Sequence, residues 1–380
     1  MGIISPMLQD LPVPQDDEER LARLRLIRSE NVGPVTFRHL LLRFGSALRA
    51  LEALPDLAAR GGLKRRIAVG SLKAAETELK AARKAGATLL FLGAADYPAS
   101  LAELEDAPPV LFSRGHLHLL EKPMVAMVGA RNASAAGRRM AATLAQDLGA
   151  AGYVIASGLA RGIDGVAHAA SLATGTVAVL AGGLDVVYPP EHQSLYDQIA
   201  GQGVLLAEAP WGTEPQARHF PRRNRIISGL ALGVVVVEAS LRSGSLITAK
   251  FAADQGREVL AVPGSPLDPR SAGANKLIKD GAQLVETADD VIQALAAVAT
   301  RQIKEPDLFW TPTATMAAEA DDIERARAAL SELLGPTPTP IDELIRAADT
   351  PPGAVLTVLL ELELAGQIER QPGNRVARLT

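Results

Sequence analysis

Strand-like and helix-like segments alternate along the middle of this chain, and this alternation constrains its fold more than any other feature. Short apolar runs predict strands at Met124–Val128, Tyr153–Ser157, Thr176–Leu180, Gly203–Leu206, Leu232–Glu238, Glu258–Val262 and Gln283–Val285. Helical segments separate them, at Ala133–Gly149, Gly165–Thr174, Gln193–Ile199, Ile226–Gly229, Leu246–Asp254 and Gly273–Lys279. Strands that alternate with helices, several of them apolar throughout, predict an α/β fold with a doubly wound parallel sheet.

Two smaller regions flank the alternating region, which we place at residues 108–296. Residues 18–90 carry leucines at helical spacing and predict a helical domain, preceded by a flexible tail at residues 1–17. Residues 297–322 contain prolines and an acidic, Ala-rich stretch that predicts a linker. Residues 323–380 then form a small C-terminal domain.

Both flanking domains contain elements that occur in DNA-binding proteins. In the helical domain, the glycine turn Asn31–Thr36 resembles a helix-hairpin-helix, and an ordinary turn of a helical bundle is the alternative. In the C-terminal domain, the helix Pro352–Gly366 and the hairpin Gln367–Leu379 predict a winged helix. A winged helix that reads DNA needs a basic second helix. This one is apolar and acidic, so we expect a structural or protein-contact module.

Composition excludes several classes of protein. The chain has 0 Cys, which removes disulfides, thiol nucleophiles and cysteine zinc sites, and its 6 His show no metal-binding spacing. No apolar run approaches the roughly 20 residues of a membrane helix, and the start lacks the basic region of a signal peptide. We therefore expect a cytoplasmic protein without metal or cofactor. The net charge is −4, so phosphate binding has to be local.

Three of the predicted strands end in turns that are suited to anions. Their residues are Gly129 and Arg131 in the first turn, Ser157, Gly158, Arg161 and Asp164 in the second, and Ser243 and Ser245 in the third. Free amides and the helix dipole favour negative charge where such turns open a helix. The carboxyl ends of parallel strands meet at one edge of the sheet. The glycine spacing matches neither the dinucleotide nor the triphosphate loop.

Two acidic residues at these strand ends have alternative roles. Asp164 either orients Arg161 or caps its helix. Glu238 is either a general base or a partner that holds an arginine of the 222–225 cluster, and we favour the partner. For the first turn, Asn132 or Ser134 is expected to be the helix N-cap. The acidic residues are therefore interpreted mainly as structural support.

The run His219–Gly229 concentrates positive charge beside an aromatic ring. It contains Phe220, Arg222, Arg223, Asn224 and Arg225, and Arg218 precedes it. Because Pro221 interrupts the preceding segment, we expect a helix to open at Arg222 and to project its guanidinium groups outward. Guanidinium groups bind phosphates, and an aromatic ring stacks on bases. A solvated charged face is the alternative.

Four blocks of this sequence resemble the DNA processing protein A (DprA/Smf) family. They are Val128–Arg131, Ser157–Asp164, Phe220–Ile227 and Ser243–Ala249, in that family's order. The resemblance implies an extended Rossmann-like sheet domain between a helical domain of the sterile-alpha-motif type and a winged-helix-like domain. It further implies a non-catalytic protein that binds single-stranded DNA, dimerises through the Rossmann domain and loads the RecA recombinase during natural transformation.

The resemblance also implies a set of binding residues. They are Arg131, Ser157, Gly158, Arg161, Phe220, Arg223, Asn224 and Arg225, to which we add Arg218, Ser243 and Ser245, with Gly129, Asp164 and Glu238 as structural support. One departure concerns a Lys that many members carry three residues before the motif Phe. This chain has Ala217 there, and the adjacent Arg218 is the candidate substitute.

A nucleotide-processing enzyme of the lysine-decarboxylase-like or phosphoribohydrolase type is the alternative. Such enzymes share the sheet but carry a Pro-Gly-Gly-x-Gly-Thr turn followed by a catalytic Glu. Here Pro263–Pro266 breaks that pattern, and Gly182–Asp185 lacks the Thr and Glu. The residues also offer no nucleophile–His–Asp set, so we expect no catalytic residue. The Ala- and Leu-rich helix Leu246–Ala253 has an apolar face of the kind that a homodimer uses.

Overall fold

The computed structural model describes residues 11–302, 319–371 and 373–379. Its contacts divide the chain into two compact units. One begins at Thr77 and contains the central sheet, and we call its described residues, 77–302, the sheet unit. The other combines the N-terminal residues up to Glu76 with the C-terminal residues, and we call its described residues, 11–76 and 319–379, the helical unit.

Nine strands form one sheet within the described part of the sheet unit. They are β1 (Thr88–Phe91), β2 (Val110–Gly115), β3 (Met124–Val128), β4 (Val154–Ser157), β5 (Thr176–Leu180), β6 (Val204–Ala207), β7 (Gly233–Val236), β8 (Glu258–Ala261) and β9 (Gln283–Leu284). Their order is β1-β2-β6-β5-β4-β3-β7-β8-β9. All pairs from β6 to β9 are parallel, whereas β1 and β2 join antiparallel at one edge.

Helices cover both faces of this sheet, because its central strands are apolar on both sides. The helices of this part of the chain are α4 (Leu72–Lys84), whose first residues belong to the helical unit, α5 (Ala99–Ala102), α6 (Ala135–Ala150), α7 (Ile163–Ser171), α8 (Gln193–Gln202), α9 (His219–Leu230), α10 (Ser245–Asp254), α11 (Ala272–Lys279) and α12 (Ala288–Gln302), and those from α6 to α12 pack against the strands. Every residue of β3, β4 and β5 is buried. On one face, Val125 and Met127 pack with Leu144 and Leu148 of α6. Burial of such side chains contributes roughly 1.5–3 kcal/mol each.

The strand order reverses between β3 and β7. After β3 the chain adds β4, β5 and β6 on one side, and it then returns to pair β7 with the other side of β3. The helices that leave the two strands therefore diverge and open a crevice at the carboxyl ends of β3 and β7. In open α/β sheets this crevice is where ligands bind.

The helical unit contains three N-terminal helices and a small C-terminal fold. The helices are α1 (Asp17–Ile27), α2 (Pro34–Phe44) and α3 (Ala47–Arg60), and the C-terminal elements are α13 (Ala320–Leu333), β10 (Thr339–Pro340), α14 (Ile341–Ala348), α15 (Pro352–Leu364), β11 (Ile368–Gln371) and β12 (Arg375–Arg378). Strand β12 pairs antiparallel with both β10 and β11. This small sheet with its three helices is the winged-helix arrangement that the sequence predicts.

The structure differs from the sequence-based prediction at the borders of the sheet. Strand β1 (Thr88–Phe91) overlaps the end of the range 18–90 that we predicted as helical, and the antiparallel pair of β1 and β2 was missed. Short edge strands carry too little periodicity to separate them from loops. Leu11 is 5% exposed and Arg23 donates to the carbonyl of Pro12, although the tail was expected to extend to residue 17. The rest of that tail, residues 1–10, lies outside the described residues.

The linker predicted at residues 297–322 is helical near both of the ends that the structure describes. Helix α12 extends to Gln302 and α13 begins at Ala320, because Ala-rich segments favour helix. Residues 303–318 lie outside the described part of the chain. In the parts of the chain that the structure describes, none of the helices is both long and apolar enough to cross a bilayer.

Candidate functional site

Two adjoining cavities lie at the carboxyl edge of the sheet. One, of about 470 Å³, occupies the crevice between β3 and β7 and is bounded by the start of α9. The other, of about 630 Å³, lies beside α6 and α7. Arg131, Asn132 and Ala160 line both cavities, so the two are adjacent. We call them together the cleft.

Phe220 is the aromatic centre of the cleft. The Arg131 guanidinium carbon lies 5.1 Å from the centre of its ring, and that of Arg223 lies 5.9 Å from it. The Tyr188 ring meets it edge-on, with 5.7 Å between centroids. Tyr188 is 45% exposed and Phe220 is half-buried, so both rings remain accessible beside the cations.

Arg131 carries an exposed positive charge at the end of β3. Ser134 is the N-cap of α6, as one of the two expected alternatives has it, and accepts from the amide of Gly137 at 2.9 Å. The cap points the first turn of α6 toward the cleft. Among the described residues, Arg131 and Arg138 are in no ion pair, so neither positive charge is neutralised by a neighbouring carboxylate.

The run around Phe220 folds differently from the sequence-based prediction. Helix α9 already begins at His219, and Pro221 lies in its first turn, where a missing N–H leaves no hydrogen bond unmade. Arg222 is exposed, but Arg223, Asn224 and Arg225 are buried. The prediction that these guanidinium groups point outward is therefore wrong for Arg223 and Arg225.

Arg223 is a buried cation that braces two strand ends. It is 6% exposed and donates to the carbonyls of Gly158 and Val179, and its Nε donates to Asn224 at 3.3 Å. Burial lowers the pKa of Arg223 to about 10, while the charge of Asp164 opposes that change. One edge of its guanidinium contributes to the cleft wall.

Asp164 organises the turn after β4. Its carboxylate accepts from the amides of Gly158 and Ala160 at 3.1 and 3.3 Å, so it supports this turn and does not orient Arg161. Burial raises the pKa of Asp164, and the charge of Arg223 opposes that rise. Arg161 instead pairs with Glu191 at the wall of the second cavity. Gly162 has φ 77°, a left-handed conformation that glycine adopts without strain.

The buried ring of His168 supports the same turn after β4. Its Nε2 accepts from the amide of Leu159 at 3.3 Å, and its Nδ1 lies 2.7 Å from Thr176 Oγ1. Thr176 donates to the carbonyl of Ile155, so Nδ1 carries the ring proton and donates to Thr176. Burial lowers the pKa of His168 to about 3, with Arg223 acting in the same direction. The ring is therefore neutral and structural.

Arg225 points away from the cleft. It is 7% exposed, and its guanidinium lies 2.6 Å from Glu208 and 3.5 Å from Asp106. It lines neither cavity. Arg223 and Arg225 are two positions apart in α9, about 200° around the helix, so they face nearly opposite sides.

Glu238 does not hold an arginine of the 222–225 cluster, contrary to the favoured alternative. Its Oε2 accepts from the amide of Ser134 at 2.9 Å, and its Oε1 lies 3.5 Å from Arg270. The buried arginines of α9 have other partners: Arg223 donates to the carbonyls of Gly158 and Val179, and Arg225 pairs with Glu208 and Asp106. Glu238 instead ties the start of α6 to the end of β7.

The remaining candidates divide between the cleft and its supports. Ser243, Ser245 and Asn224 line the cleft, with 2.7 Å between the two serine hydroxyls. Gly129 also lines the cleft. Ser157 is fully buried and donates to the carbonyl of Met127. Arg218 is exposed just before α9 and lines neither cavity.

The sequence-based prediction missed four charged or aromatic residues of the cleft wall. They are Arg138, Tyr188, His192 and Arg270. Tyr188 and Arg270 follow β5 and β8, so their position after predicted strands was a usable signal. Arg138 lies one turn into α6 and His192 just before α8, and neither position shows a pattern that separates it from an ordinary surface residue.

Chemically, the cleft combines cations, hydroxyls, backbone amides and aromatic rings. In the described parts of the chain, no three His, Asp or Glu side chains are grouped as a metal site would need. Asp164 and Glu238 both accept hydrogen bonds from backbone amides, so their charges are already engaged. Such a surface favours ligands that have both phosphates and planar rings.

Three family models match this chain in succession. DNA recombination-mediator protein A matches residues 88–296, the DprA-like N-terminal HHH domain matches residues 17–81, and the DprA winged helix domain matches residues 312–374. The expected α/β architecture with a helical N-terminal domain and a C-terminal winged helix is thereby confirmed.

Curated relatives and solved structures agree with these models. Protein Smf of Escherichia coli (strain K12) is 42% identical over 287 residues, which cover 74% of each chain. DNA processing protein DprA of Bacillus subtilis (strain 168) is 46% identical over 220 residues, covering 57% of this chain and 74% of that one. The structure of DprA from Streptococcus pneumoniae superposes with a TM-score of 0.61 at 36% identity, over 73% of this chain and 98% of that one.

A second solved structure was described for its single-stranded DNA binding mode. It is DNA processing protein A from Helicobacter pylori, with a TM-score of 0.51 at 29% identity, over 56% of this chain and 96% of that one. The family model on the sheet, the identities and the shared architecture all agree. The chain belongs to the DNA recombination-mediator protein A family, the DprA/Smf proteins.

Proposed function

We propose that this protein binds single-stranded DNA in the cleft. The observation that carries the proposal is the placement of Arg131 over the ring of Phe220, at the point where the two cavities join. A base that stacks on the accessible rings brings its phosphates to Arg131 and to the amides of the adjacent turns. The Helicobacter pylori relative, described for single-stranded DNA binding, supports the same ligand.

Duplex DNA fits this cleft less well. Stacking on Phe220 and Tyr188 requires bases that are not paired, and a cleft at a strand edge presents no helix to a major groove. The binding set that we propose contains Arg131, Arg161, Phe220, Asn224, Ser243 and Ser245, with Arg218 at the rim. Gly129, Ser157, Gly158, Asp164, Arg223 and Glu238 support the turns, and Arg225 holds α9 in place.

The first experiment compares binding to single-stranded and duplex DNA of equal length. We expect tighter binding to the single strand, with little sequence preference. Raising salt from 50 to 200 mM then weakens it by about tenfold or more, because several phosphates are engaged. Equal affinity for duplex, or binding that is insensitive to salt, contradicts the proposal.

In the wider function that we infer, the protein is a cytoplasmic recombination mediator that loads the RecA recombinase onto the bound strand during natural transformation. The family description as a recombination mediator supports this role. Its test measures RecA filament assembly on single strands coated with a single-strand-binding protein. The expected result is faster assembly with no ATP consumption by this protein itself. Unchanged assembly in the presence of stable DNA binding counts against loading.

We further propose that the protein acts as a homodimer of the sheet domain and catalyses no reaction, with neither metal nor cofactor. Exposed apolar side chains on and near α10, such as Ile247 and Leu241, supply an apolar surface for a second copy. Sedimentation of a monomer at micromolar concentration contradicts the dimer. Turnover of nucleoside monophosphates that disappears in Glu238→Ala instead supports the alternative phosphoribohydrolase.

A further inference from the structure

Helix α15 occupies the position of the DNA-reading helix in the winged helix, and little of it is exposed to solvent. Among Pro352–Leu364, only Pro352 is exposed. One face, with Val355, Val358 and Leu359, joins the core of the winged helix itself. Leu360, Glu361 and Leu364 are also buried but lie outside that core, so this other face of the helix needs a second partner.

That second partner is the N-terminal helical domain of the same chain. The side chain of Asn31 donates to the carbonyl of Leu364 at 3.0 Å, and Gln367 donates to the carbonyl of Gly61 at 2.7 Å. Arg43 lies 3.3 Å from the hydroxyl of Thr357. These contacts join α2, α3 and the turn between α1 and α2 to the length of α15 and the residues just after it.

A buried carboxylate lies within this interface. Glu361 is 1% exposed, and its two oxygens are bound by Arg60 at 3.2 Å and by Arg327 at 2.6 Å. Arg327 also donates to the carbonyl of Arg60, so the α13, α15 and α3 helices share one network. Removing these cations while Glu361 stays buried leaves a charge that burial disfavours. The network therefore links the two domains specifically.

We infer that the winged helix of this protein is an intramolecular clasp for the N-terminal helical domain and not a reader of DNA. The surface that would enter a groove of duplex DNA is the surface that packs against α3. The two terminal domains then act as one body, although residues 77–318 separate their described parts in sequence. This inference is independent of DNA binding in the cleft.

Gly61 gives a sharp test of the clasp. It has φ −70°, which alanine adopts readily, but a Cβ there overlaps the carbonyl oxygen of Glu361 and lies 2.9 Å from Ala365 Cβ. Gly61→Ala in the full-length protein is expected to speed amide hydrogen exchange in both α3 and α15 by at least tenfold. Gly335→Ala is the matched control in the same unit, because the nearest atom to its new Cβ is 4.0 Å away. Equal exchange in both variants overturns the clasp.

A second measurement applies even if Gly61→Ala does not fold. Replacing Arg346, Arg375 and Arg378 together by Ala removes exposed positive charge from α14 and the wing. For a clasp, affinity of the full chain for duplex and for single-stranded DNA stays within about twofold of wild type. A tenfold loss of duplex affinity shows that the winged helix contacts DNA and overturns the inference.

Discussion

Arg222, Arg223 and Arg225 are neighbours in sequence but have three different environments. Arg222 is exposed, Arg223 braces two backbone carbonyls beneath the cleft, and Arg225 pairs with Glu208 behind it. Each step of about 100° around the helix changes what the side chain faces. A mutation at each position consequently has a different expected result.

Arg131→Ala and Phe220→Ala are expected to weaken binding of single-stranded DNA while leaving the fold intact. Loss of a charge-assisted contact costs about 1.5–3 kcal/mol, and loss of a stacking ring about 1–3 kcal/mol. Fluorescence anisotropy with a labelled oligonucleotide measures both. Lys122→Ala is the control, since this exposed cation precedes β3 at the opposite edge of the sheet. Wild-type affinity in the double variant places the DNA elsewhere.

Arg225→Met is expected to lower stability and to leave DNA affinity nearly unchanged. The substitution leaves Glu208, at 2.6 Å, and Asp106, at 3.5 Å, without their cation. Because both carboxylates are partly solvated, we expect a loss of about 1–3 kcal/mol in the free energy of unfolding. Urea unfolding of this variant is compared with Arg222→Met, whose exposed side chain contributes little. A loss of DNA affinity without a loss of stability contradicts this role for Arg225.

At the scale of elements, the cleft is made of turns that leave parallel strands. The turn after β4 is held by Asp164, His168 and Arg223, and the turn before α10 is comparatively open. The two turns line the same cleft but differ in how closely they are packed. Alanine substitution of one glycine in each turn measures that difference.

Gly158→Ala is expected to destabilise the sheet domain and to weaken DNA binding, and Gly244→Ala is not expected to destabilise it. A Cβ at position 158 overlaps the guanidinium of Arg223, which the two carbonyls keep in place. Gly244 has no atom within 4 Å of its added Cβ and has φ −62°. Thermal unfolding checks both variants, and overpacking of this kind typically costs about 1–3 kcal/mol. Equal midpoints contradict the close packing at Gly158.

His168 makes the turn after β4 sensitive to acid. Its pKa is lowered to about 3 in the folded state, from its ordinary value of 6.5. The unfolded chain therefore binds more protons between these values, and the stabilisation present above pH 6.5 is lost as pH falls toward 3. We expect the unfolding midpoint of wild type to fall more steeply over this window than that of His168→Gln.

The shifted pKa of Asp164 does not affect the comparison of wild type with His168→Gln. Burial raises its pKa, so it acts in the opposite sense, but it is present in both proteins and its contribution is common to them. Circular dichroism melts at several pH values give the difference directly. Parallel curves for wild type and His168→Gln contradict the neutral buried imidazole.

At the scale of the whole molecule, the candidate ligand site lies within the sheet unit and the clasp lies within the helical unit. Hydrogen exchange with and without an oligo-dT strand is therefore expected to show new protection at residues 129–134, 158–162 and 243–245. Ligand at 100 times its dissociation constant stabilises the folded site by about 2.7 kcal/mol. Protection that instead concentrates at residues 339–379 contradicts the proposed site and also the clasp.

Much of this architecture follows from the sequence, because local periodicity specifies it. The runs Met124–Val128 and Thr176–Leu180 were predicted with the bounds that the structure has, since a strand buried on both faces is apolar throughout. The turns beginning at Gly129, Ser157 and Ser243 were predicted to share one edge, because parallel strands end on the same side. Strands β1 and β2 were missed, since β1 is short and half-exposed, and the apolar run of β2, Val110–Phe112, is only three residues long.

Only the tertiary structure decided what each charged residue of the motifs faces. The sequence placed Arg131, Arg223 and Arg225 in one candidate set, and packing separated an exposed cation from a brace and from a buried ion pair. Packing also brings Glu238 against Ser134 and Arg270. It places α15 against α3, although most of the chain separates these two helices in sequence. Periodicity records whether a side chain is buried, but its partner depends on which distant elements the fold brings together.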